Sequence, residues 1–235
     1  MIPVRDDVPT RQRAVLTLAL IAANVAVFVH QLSLMGPQGA ESDALRVFVE
    51  RWGFVPGEFE RALAGGASSA DVWLSPVTSM FLHGGLLHLG GNMLYLWIFG
   101  NNVEDLLGRG RYLAFYLVCG LVAVLAHEVS APGSDVPVIG ASGAVSGVLG
   151  AYALSYPNAR VRTLVPIGFF LTTVYVPAIF FLLFWFVMQV FSGAMQPDAG
   201  GAGVAWWAHV GGFVAGAVLA RPLRVHPPVR ARIAI

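Results

Sequence analysis

The chain has 235 residues, of which 57% are apolar and only 11% are charged. Soluble domains carry about 25% charged residues, so this composition excludes an ordinary soluble domain and indicates an integral membrane protein. The formal net charge is +1, which gives no support for nucleic-acid binding.

Six apolar stretches are long enough to cross a bilayer, or nearly so. In chain order these spans cover about residues 14–31, 77–100, 112–129, 142–156, 174–191 and 204–220. The apolar segment 164–173, which contains Pro166 and Gly168, is interpreted as an interfacial or re-entrant piece before span five. The predicted fold is an all-α polytopic membrane protein with six transmembrane helices.

Arginine placement predicts the orientation of the spans, because cytoplasmic segments are enriched in Lys and Arg. Under a six-span count, the arginines next to both termini fall on the arginine-rich side. We therefore expect a cytoplasmic segment 1–13, a membrane domain 14–221 and a disordered cytoplasmic tail 222–235. Span one is interpreted as a retained anchor, since no small-x-small cleavage site follows Gln31. The external loop 33–75 is either an amphipathic structure on the membrane surface or an ordinary solvated loop.

Polar and ionisable side chains inside spans are costly, so each one needs a physical reason. In span two, His88 and Asn92 are four residues apart and share one helical face. His83 precedes them and is expected nearer the outer surface. Span four begins at Ser142, and span six carries His209.

Glycines accompany both of these polar residues. Ser142 is flanked by Gly140 and Gly143, and span four continues to Gly147 in a G-x-x-x-G pattern. His209 shares a helical face with a second such pair, Gly212 and Gly216. Glycine pairs at this spacing let two helices approach closely in lipid, so spans four and six are predicted to pack against each other.

The depth of the two polar side chains follows from the helical rise. Ser142 precedes Pro157 by roughly 22 Å and His209 precedes Arg221 by roughly 18 Å, so both are expected at similar depth in the outer half of the membrane. A serine hydroxyl beside a neutral histidine forms a nucleophile and its base. Glu128 and Asp135 lie near the outer end of span three and in the following loop. No carboxylate is expected at matching depth, so the sequence predicts a Ser–His dyad rather than a triad.

These motifs together resemble those of the rhomboid family of intramembrane serine proteases, and the resemblance covers nearly all of the chain after Trp52. Members have H-x-x-x-N in the second helix, G-x-S-G at the start of the fourth and A-H-x-x-G-x-x-x-G in the sixth. The resemblance implies a six-helix bundle in which Ser142 is the nucleophile and His209 the base. It also implies an oxyanion hole made by the Ser142 backbone N–H, the Asn92 amide and the His88 ring. Gly140, Gly143, Gly212, Gly216 and His83 would support this site.

Two positions depart from the family pattern, and one further residue is expected to have a structural role. Many members carry an aromatic residue four positions after the nucleophile, stacked on the histidine, where this chain has Ser146. Trp206 or Trp207 are candidates to orient His209 instead. Trp73 is followed by Leu74, where relatives often have Trp-Arg. Glu104 resembles a structural anchor of the turn after span two.

The expected function is intramembrane endopeptidase cleavage of single-span membrane proteins, without a metal or cofactor. Loop 130–139 is predicted to cover a water-filled cavity, with residues 193–203 a candidate mobile cap and span five a candidate gate. Phe184 and Trp185 on span five either line that entrance or face lipid. One alternative is a non-proteolytic rhomboid-like protein that binds membrane clients. Another is a transporter with a histidine proton relay, against which the spans show no inverted repeat. A bacterial plasma membrane is the expected location.

Overall fold

Helices make up most of the chain over the residues that the computed structural model describes, which are 2–168, 170–196 and 203–229. In chain order the helices are α1 Val15–Ser33, α2 Asp43–Trp52, α3 Pro56–Leu63, α4 Ala70–Thr78, α5 Leu86–Leu107, α6 Arg109–Ser130, α7 Ser142–Ser155, α8 Ala178–Met195 and α9 Trp206–Leu223. Two short 3₁₀ turns occupy Pro37–Gly39 and Ser79–Phe81. The strands are β1 Ile2–Asp6, β2 Arg160–Ile167 and β3 Phe170–Pro177.

Among the described residues, three helices, α1, α6 and α8, are long and apolar enough to cross a membrane. Many of their apolar side chains point away from the protein, as Phe180, Phe184 and Val187 of α8 do. An exposed apolar face of this length is stable against lipid and costly against water. The sequence and the structure therefore agree on an integral membrane character, while the count of six crossings stays a prediction.

Helix α7 occupies the centre of the bundle. Its side chains from Gly143 to Ala153 are buried, and it packs against α5, α6, α8 and α9. The apolar core around it includes the large side chains Phe99, Tyr112 and Tyr152, all fully buried. A helix that is apolar on every face is expected at the centre of a bundle.

The chain also forms a three-stranded antiparallel sheet in the order β1-β2-β3, so the all-α prediction is confirmed for most of the described residues and wrong for these strands. Strands β2 and β3 are a hairpin that turns at Gly168, where φ is +58°. Most of the segment predicted as an interfacial or re-entrant piece is thus strand. The N-terminal strand β1 pairs with β2, with Ile2 opposite Leu164 and Asp6 opposite Val161.

The second span begins later than predicted. Residues 77–85 do not continue α5: Val77 and Thr78 end α4, a 3₁₀ turn follows, and α5 starts only at Leu86. Gly84 and Gly85 precede that start, and glycine in helix interiors is unfavourable. His83 therefore lies outside the helix that carries His88. The segment 33–75, which the sequence predicts to be external, is largely helical, since it holds α2, α3 and the first part of α4.

Both ends of the described chain meet at one end of the bundle, which we call the termini end and define by Arg11, Glu104, Asp105 and Val225. The Arg11 guanidinium donates a hydrogen bond to the Pro227 carbonyl oxygen at 2.7 Å. The backbone N–H groups of Val225 and His226 donate to the Leu106 carbonyl oxygen. The prediction of a disordered tail is therefore wrong up to Val229, and residues 230–235 lie outside the described residues. A cytoplasmic location of this end stays a prediction.

Candidate active site

A cavity of about 950 Å³ lies at the end of the bundle opposite the termini, which we call the cavity end. The cavity is lined by the start of α5, the end of α6, the start of α7 and the start of α9. Ser142, His209, His88 and Asn92 all line it. The polar residues that the sequence selects from three different spans thus meet around one space of the size typical of binding sites.

Ser142 is the first residue of α7. The first N–H groups of a helix have no partner within the helix, so they face the cavity as donors at this position. Gly140, two residues earlier, has φ of +126°, a conformation that glycine adopts without strain. A Cβ atom at Gly140 would lie 2.7 Å from the His88 ring. Only glycine therefore allows the chain to turn into α7 this close to His88.

Helices α7 and α9 touch through their backbones. A Cβ atom at Gly212 would lie 2.0 Å from the Gly143 carbonyl oxygen, and one at Gly216 would lie 1.9 Å from the Gly147 carbonyl oxygen. The structure thus has the close approach that the two G-x-x-x-G patterns predict. A Cβ atom at Gly143 would lie 3.8 Å from the Ala208 carbonyl oxygen. Because Gly143 and Ala208 adjoin Ser142 and His209 in the chain, this contact sets the two predicted reacting residues on facing first turns.

His88 and Asn92 lie one turn apart near the start of α5. His88 Nδ1 is 3.4 Å from the Gly84 backbone N–H, which donates to it. Asn92 is buried, and its Nδ2 donor has no hydrogen-bond partner among the described residues. Buried donors are seldom left unpaired in folded proteins, so the Asn92 amide is free to donate to a group that enters the cavity.

His209 is buried in the first turn of α9 and contacts α8. Its Nδ1 atom lies 2.7 Å from Oε1 of Gln189. The Trp185 ring lies 5.9 Å from the His209 ring between centroids, and the Trp206 ring meets it edge-on at 6.2 Å. Of the two candidates named from the sequence, Trp206 thus contacts the ring. Trp207 packs over Gly193 instead.

His83 is not part of the cavity lining, although it is close to it. Its ring meets the His88 ring edge-on at 5.1 Å between centroids. The side-chain amide of Gln31 holds the backbone of His83 through two hydrogen bonds, of 2.9 and 3.2 Å. His83 therefore contacts the site through His88 and is fixed from α1.

The loop before α7 forms one wall of the cavity, as the prediction for residues 130–139 requires. Ser134 and Val136 to Gly140 line the cavity. Val138 is held by a two-way backbone pairing with Phe54. The second predicted cap covers residues 193–203. Residues 193–195 are the last of α8, residue 196 follows its end, and Gly203 lines the cavity. Residues 197–202 lie outside the described residues. Trp185 lines the cavity, whereas Phe184 is exposed.

Sequence reasoning missed two polar residues here, Gln189 on α8 and His127 on α6. Both are buried, and His127 lines the cavity. A glutamine in the middle of an apolar span is itself a signal, because an amide in lipid needs a partner. Among the described residues, no group of three or more His, Cys, Asp and Glu is arranged to hold a metal ion.

A family model described as Rhomboid domain matches residues 70–225, more than half of the chain. The chain belongs to the rhomboid family. The resemblance inferred from the sequence motifs is confirmed. The match includes the four polar motif residues that line the cavity, His88, Asn92, Ser142 and His209.

Several curated rhomboid proteins are similar to part of this rhomboid chain. Rhomboid protease GluP of Bacillus subtilis (strain 168) is 41% identical over 95 residues, which are 39% of this chain and 18% of that protein. The mitochondrial presenilin-associated rhomboid-like protein of Bos taurus is 35% identical over 95 residues, 39% of this chain and 25% of that protein. Mitochondrial rhomboid protein 1 of Saccharomyces cerevisiae is 36% identical over 92 residues, 37% of this chain and 27% of that protein.

The matched part of this rhomboid chain thus spans between 18% and 27% of these three relatives. By their names, one of the three is a protease, one a rhomboid-like protein and one a rhomboid protein, and the last two are mitochondrial. The comparisons therefore establish the family and do not support a bacterial plasma membrane over a mitochondrial one.

Proposed function

We propose that this rhomboid chain is an intramembrane serine endopeptidase that uses Ser142 as nucleophile and His209 as base. The observation that carries the proposal is that Ser142, His209, His88 and Asn92, from three separate helices, line one cavity. Random placement of polar residues on three apolar helices would leave most of them facing different neighbours or lipid. Because they share one cavity, all four side chains can contact the same substrate bond.

The proposed reaction is an acyl transfer in two steps. His209 Nε2 accepts the Ser142 hydroxyl proton as Oγ attacks the carbonyl carbon of the scissile peptide bond. His209 then gives the proton to the departing amine, which leaves an ester on Ser142. A water molecule, activated by the same histidine, hydrolyses the ester and restores the hydroxyl. The cavity admits this water at the start of α7.

The negative charge on the tetrahedral oxygen needs donors that are already in place. We assign this role to the backbone N–H of Ser142, to the Asn92 amide and to the His88 ring. The support is the position of Ser142 at the first residue of α7 and the unpartnered Nδ2 of buried Asn92. Donors that are held by the fold stabilise a developing charge without reorganising.

We further propose that α1, α5, α6, α7, α8 and α9 are the six membrane spans, with residues 1–13 and 222–235 on the cytoplasmic side. The substrates would be single-span membrane proteins, with α8 at their entrance to the cavity. Trp185 in the lining and the exposed Phe184 and Val187 beside it support this path. An unwound substrate segment would find its backbone partners in the polar cavity.

The test is cleavage of a model single-span substrate by the full chain in proteoliposomes. Ser142→Ala is expected to abolish cleavage and His209→Ala to reduce it at least about a thousandfold. Ser155→Ala, at the other end of α7, is the matched serine control and is expected to cleave normally. A fluorophosphonate probe should label the native chain and not Ser142→Ala.

Two outcomes would reject the proposal. Full cleavage by folded Ser142→Ala would exclude this serine as the nucleophile. No cleavage and no labelling by the folded native chain would favour the second function, a rhomboid-like protein that binds membrane clients without cutting them. Binding of the same substrate without turnover, measured by co-purification, would then support that function directly.

A further inference from the structure

Gln189 gives His209 a hydrogen-bond partner at Nδ1, the ring nitrogen that does not take part in the proposed reaction. The role inferred for this contact depends on the proposed Ser142–His209 dyad. The His209 Nδ1 atom and the Gln189 Oε1 atom are 2.7 Å apart, which is a short, well-formed hydrogen bond. Both side chains are at least nine-tenths buried. This hydrogen bond occupies the Nδ1 atom of the ring.

The direction of this bond follows from the other end of the glutamine. Gln189 Nε2 lies 3.3 Å from the Trp185 carbonyl oxygen, one turn earlier on α8, and can only donate to it. With the NH₂ group held there, the amide oxygen is the atom that faces His209. A carbonyl oxygen accepts and does not donate, so Nδ1 of His209 must carry the hydrogen.

We propose that Gln189 is a positioning residue that fixes His209 in the Nδ1–H tautomer. Ser142, His209 and Gln189 then act as one hydrogen-bonded series, which we call the relay, although no proton passes to Gln189. In a neutral imidazole only one nitrogen carries hydrogen. A proton held at Nδ1 leaves Nε2 as a free acceptor for the Ser142 hydroxyl. In serine proteases with a triad, a carboxylate holds the tautomer in the same way.

Trp185 completes this support from α8. Its ring lies at 34° to the His209 ring with centroids 5.9 Å apart. Trp185 and Gln189 are four residues apart, so both project from one face of α8. Helix α8 therefore holds the imidazole through a ring contact and a hydrogen bond. These contacts take the place of the aromatic side chain that many family members carry where this chain has Ser146.

A neutral amide suits this place better than a carboxylate. An ionised carboxylate buried in an apolar bundle is costly unless it is paired. The Gln189 amide is satisfied on both sides by groups of the protein itself. It can therefore fix the tautomer and remain neutral throughout the reaction.

The first test compares two variants of the full chain with similar side-chain length. Gln189→Met removes the acceptor and keeps the volume, whereas Gln189→Glu keeps an acceptor oxygen for Nδ1–H. Loss of the hydrogen-bond partner behind a metal-bound histidine typically costs about 10- to 100-fold in metal affinity or activity, and we expect a loss of the same order here. We expect that loss in kcat for Gln189→Met, with KM unchanged, and a substantial recovery for Gln189→Glu. Met188→Leu, exposed on the same helix, is the control and should match the native chain.

The second test does not depend on cleavage. In chains with ¹⁵N-labelled histidine, the His209 signals are identified by their loss in His209→Ala and read in the Ser142→Ala background. We expect a single Nδ1–H tautomer in the chain that keeps Gln189 and in the Gln189→Glu chain, and a mixture with Nε2–H in the Gln189→Met chain. Because this readout needs no activity, it separates failure of the relay from failure of the protease proposal.

The relay is overturned if Gln189→Met keeps the native kcat, or if its His209 nitrogen signals equal those of the native chain. Equal loss of activity in Gln189→Glu and Gln189→Met would also overturn it, since the acceptor would then not matter. If Gln189→Met does not fold, as judged by its thermal unfolding midpoint, Gln189→Glu and its tautomer alone decide the question. A native-like tautomer and substantial activity in that variant would support the relay, and failure in either would reject it.

Discussion

The two ends of this bundle differ in the hydrogen bonding of several buried polar groups. At the termini end, the Glu104 carboxylate accepts hydrogen bonds from the backbone N–H groups of Leu16 and Thr17 and from the Thr17 hydroxyl, at 2.8–3.0 Å. Asp105 beside it accepts from the Arg11 side chain and from two backbone N–H groups. At the cavity end, Asn92 Nδ2 and both ring nitrogens of His83 have no partner among the described residues.

This difference separates groups that hold the fold from groups that are free to act. A buried polar atom with all its partners stabilises one arrangement of the chain, because losing a partner costs its full desolvation. A buried polar atom without a protein partner costs stability and is ready to bind water or a ligand. The contrast predicts that substitutions at the two ends will affect different measurements.

The largest expected effect is on turnover, from Asn92→Ala at the cavity end. Loss of one donor to the developing oxyanion typically reduces kcat about 100- to 1000-fold. Because Asn92 Nδ2 has no partner among the described residues, we expect little change in the thermal unfolding midpoint. The measurement is kcat for a single-span substrate together with that midpoint.

Asn102→Ala, on the same helix at the termini end, is the control for this prediction. Its Nδ2 donates to the Val8 carbonyl oxygen, so it should lower stability and leave kcat per folded molecule unchanged. A normal kcat in Asn92→Ala, or a loss of stability as large as that of Asn102→Ala, would contradict the distinction between the two ends.

Glu104→Ala is expected to produce the largest loss of stability. It leaves two N–H groups and one hydroxyl at the start of α1 without their acceptor, which should cost roughly 2–4 kcal/mol. Unfolding in detergent, followed by circular dichroism, would measure the change. Glu58→Ala, at an exposed carboxylate on α3, should unfold like the native chain.

A native midpoint in Glu104→Ala would show that these hydrogen bonds contribute nothing net. A loss of kcat per folded molecule in Glu104→Ala would contradict the prediction that substitutions at the termini end affect stability and not turnover.

The smallest expected effect is a pH dependence of stability from Asp6 at the end of β1. Burial raises the pKa of this carboxyl to about 6, while the Tyr152 hydroxyl, which donates to it, lowers the pKa and the charge of Asp7 raises it. A folded-state pKa above the unfolded value near 3.9 stabilises the fold fully below about pH 4. That stabilisation is lost as the pH rises through about 6.

The native chain should therefore lose on the order of 1–2 kcal/mol of stability between pH 5 and pH 7 from this group. Asp6→Asn should remove this step, so the difference between the two unfolding curves isolates it. Equal pH dependence in both chains would mean that the Asp6 carboxyl is not shielded from water to the extent that the structure shows.

Apolar length and motif spacing were sufficient to predict much of this molecule. Helices α1, α6, α7, α8 and α9 lie within a few residues of the predicted spans, because a long apolar run without breaks has few other structures open to it. The glycine pairs predicted the contact of α7 with α9. The roles of Ser142 and His209 are still predictions that the geometry supports and that cleavage would test.

The misses have physical reasons. The β2–β3 hairpin reads as an apolar run with Pro166 and Gly168, and its partner β1 lies about 155 residues away in the chain, beyond the reach of local periodicity. His83 was assigned to span two because Gly84 and Gly85 interrupt a helix without changing its hydropathy. Gln189 was missed because periodicity within α8 does not tell which neighbouring helix its polar face meets.

The pairing of β1 with β2 has a consequence for synthesis of the chain. Strand β1 leaves the ribosome before β2, which follows about 155 residues later and therefore roughly 8–30 s later at 5–20 residues per second. During that interval the first helices enter the membrane while the N-terminal strand has no partner. Closure of the sheet is therefore a late event, which follows the synthesis of α7.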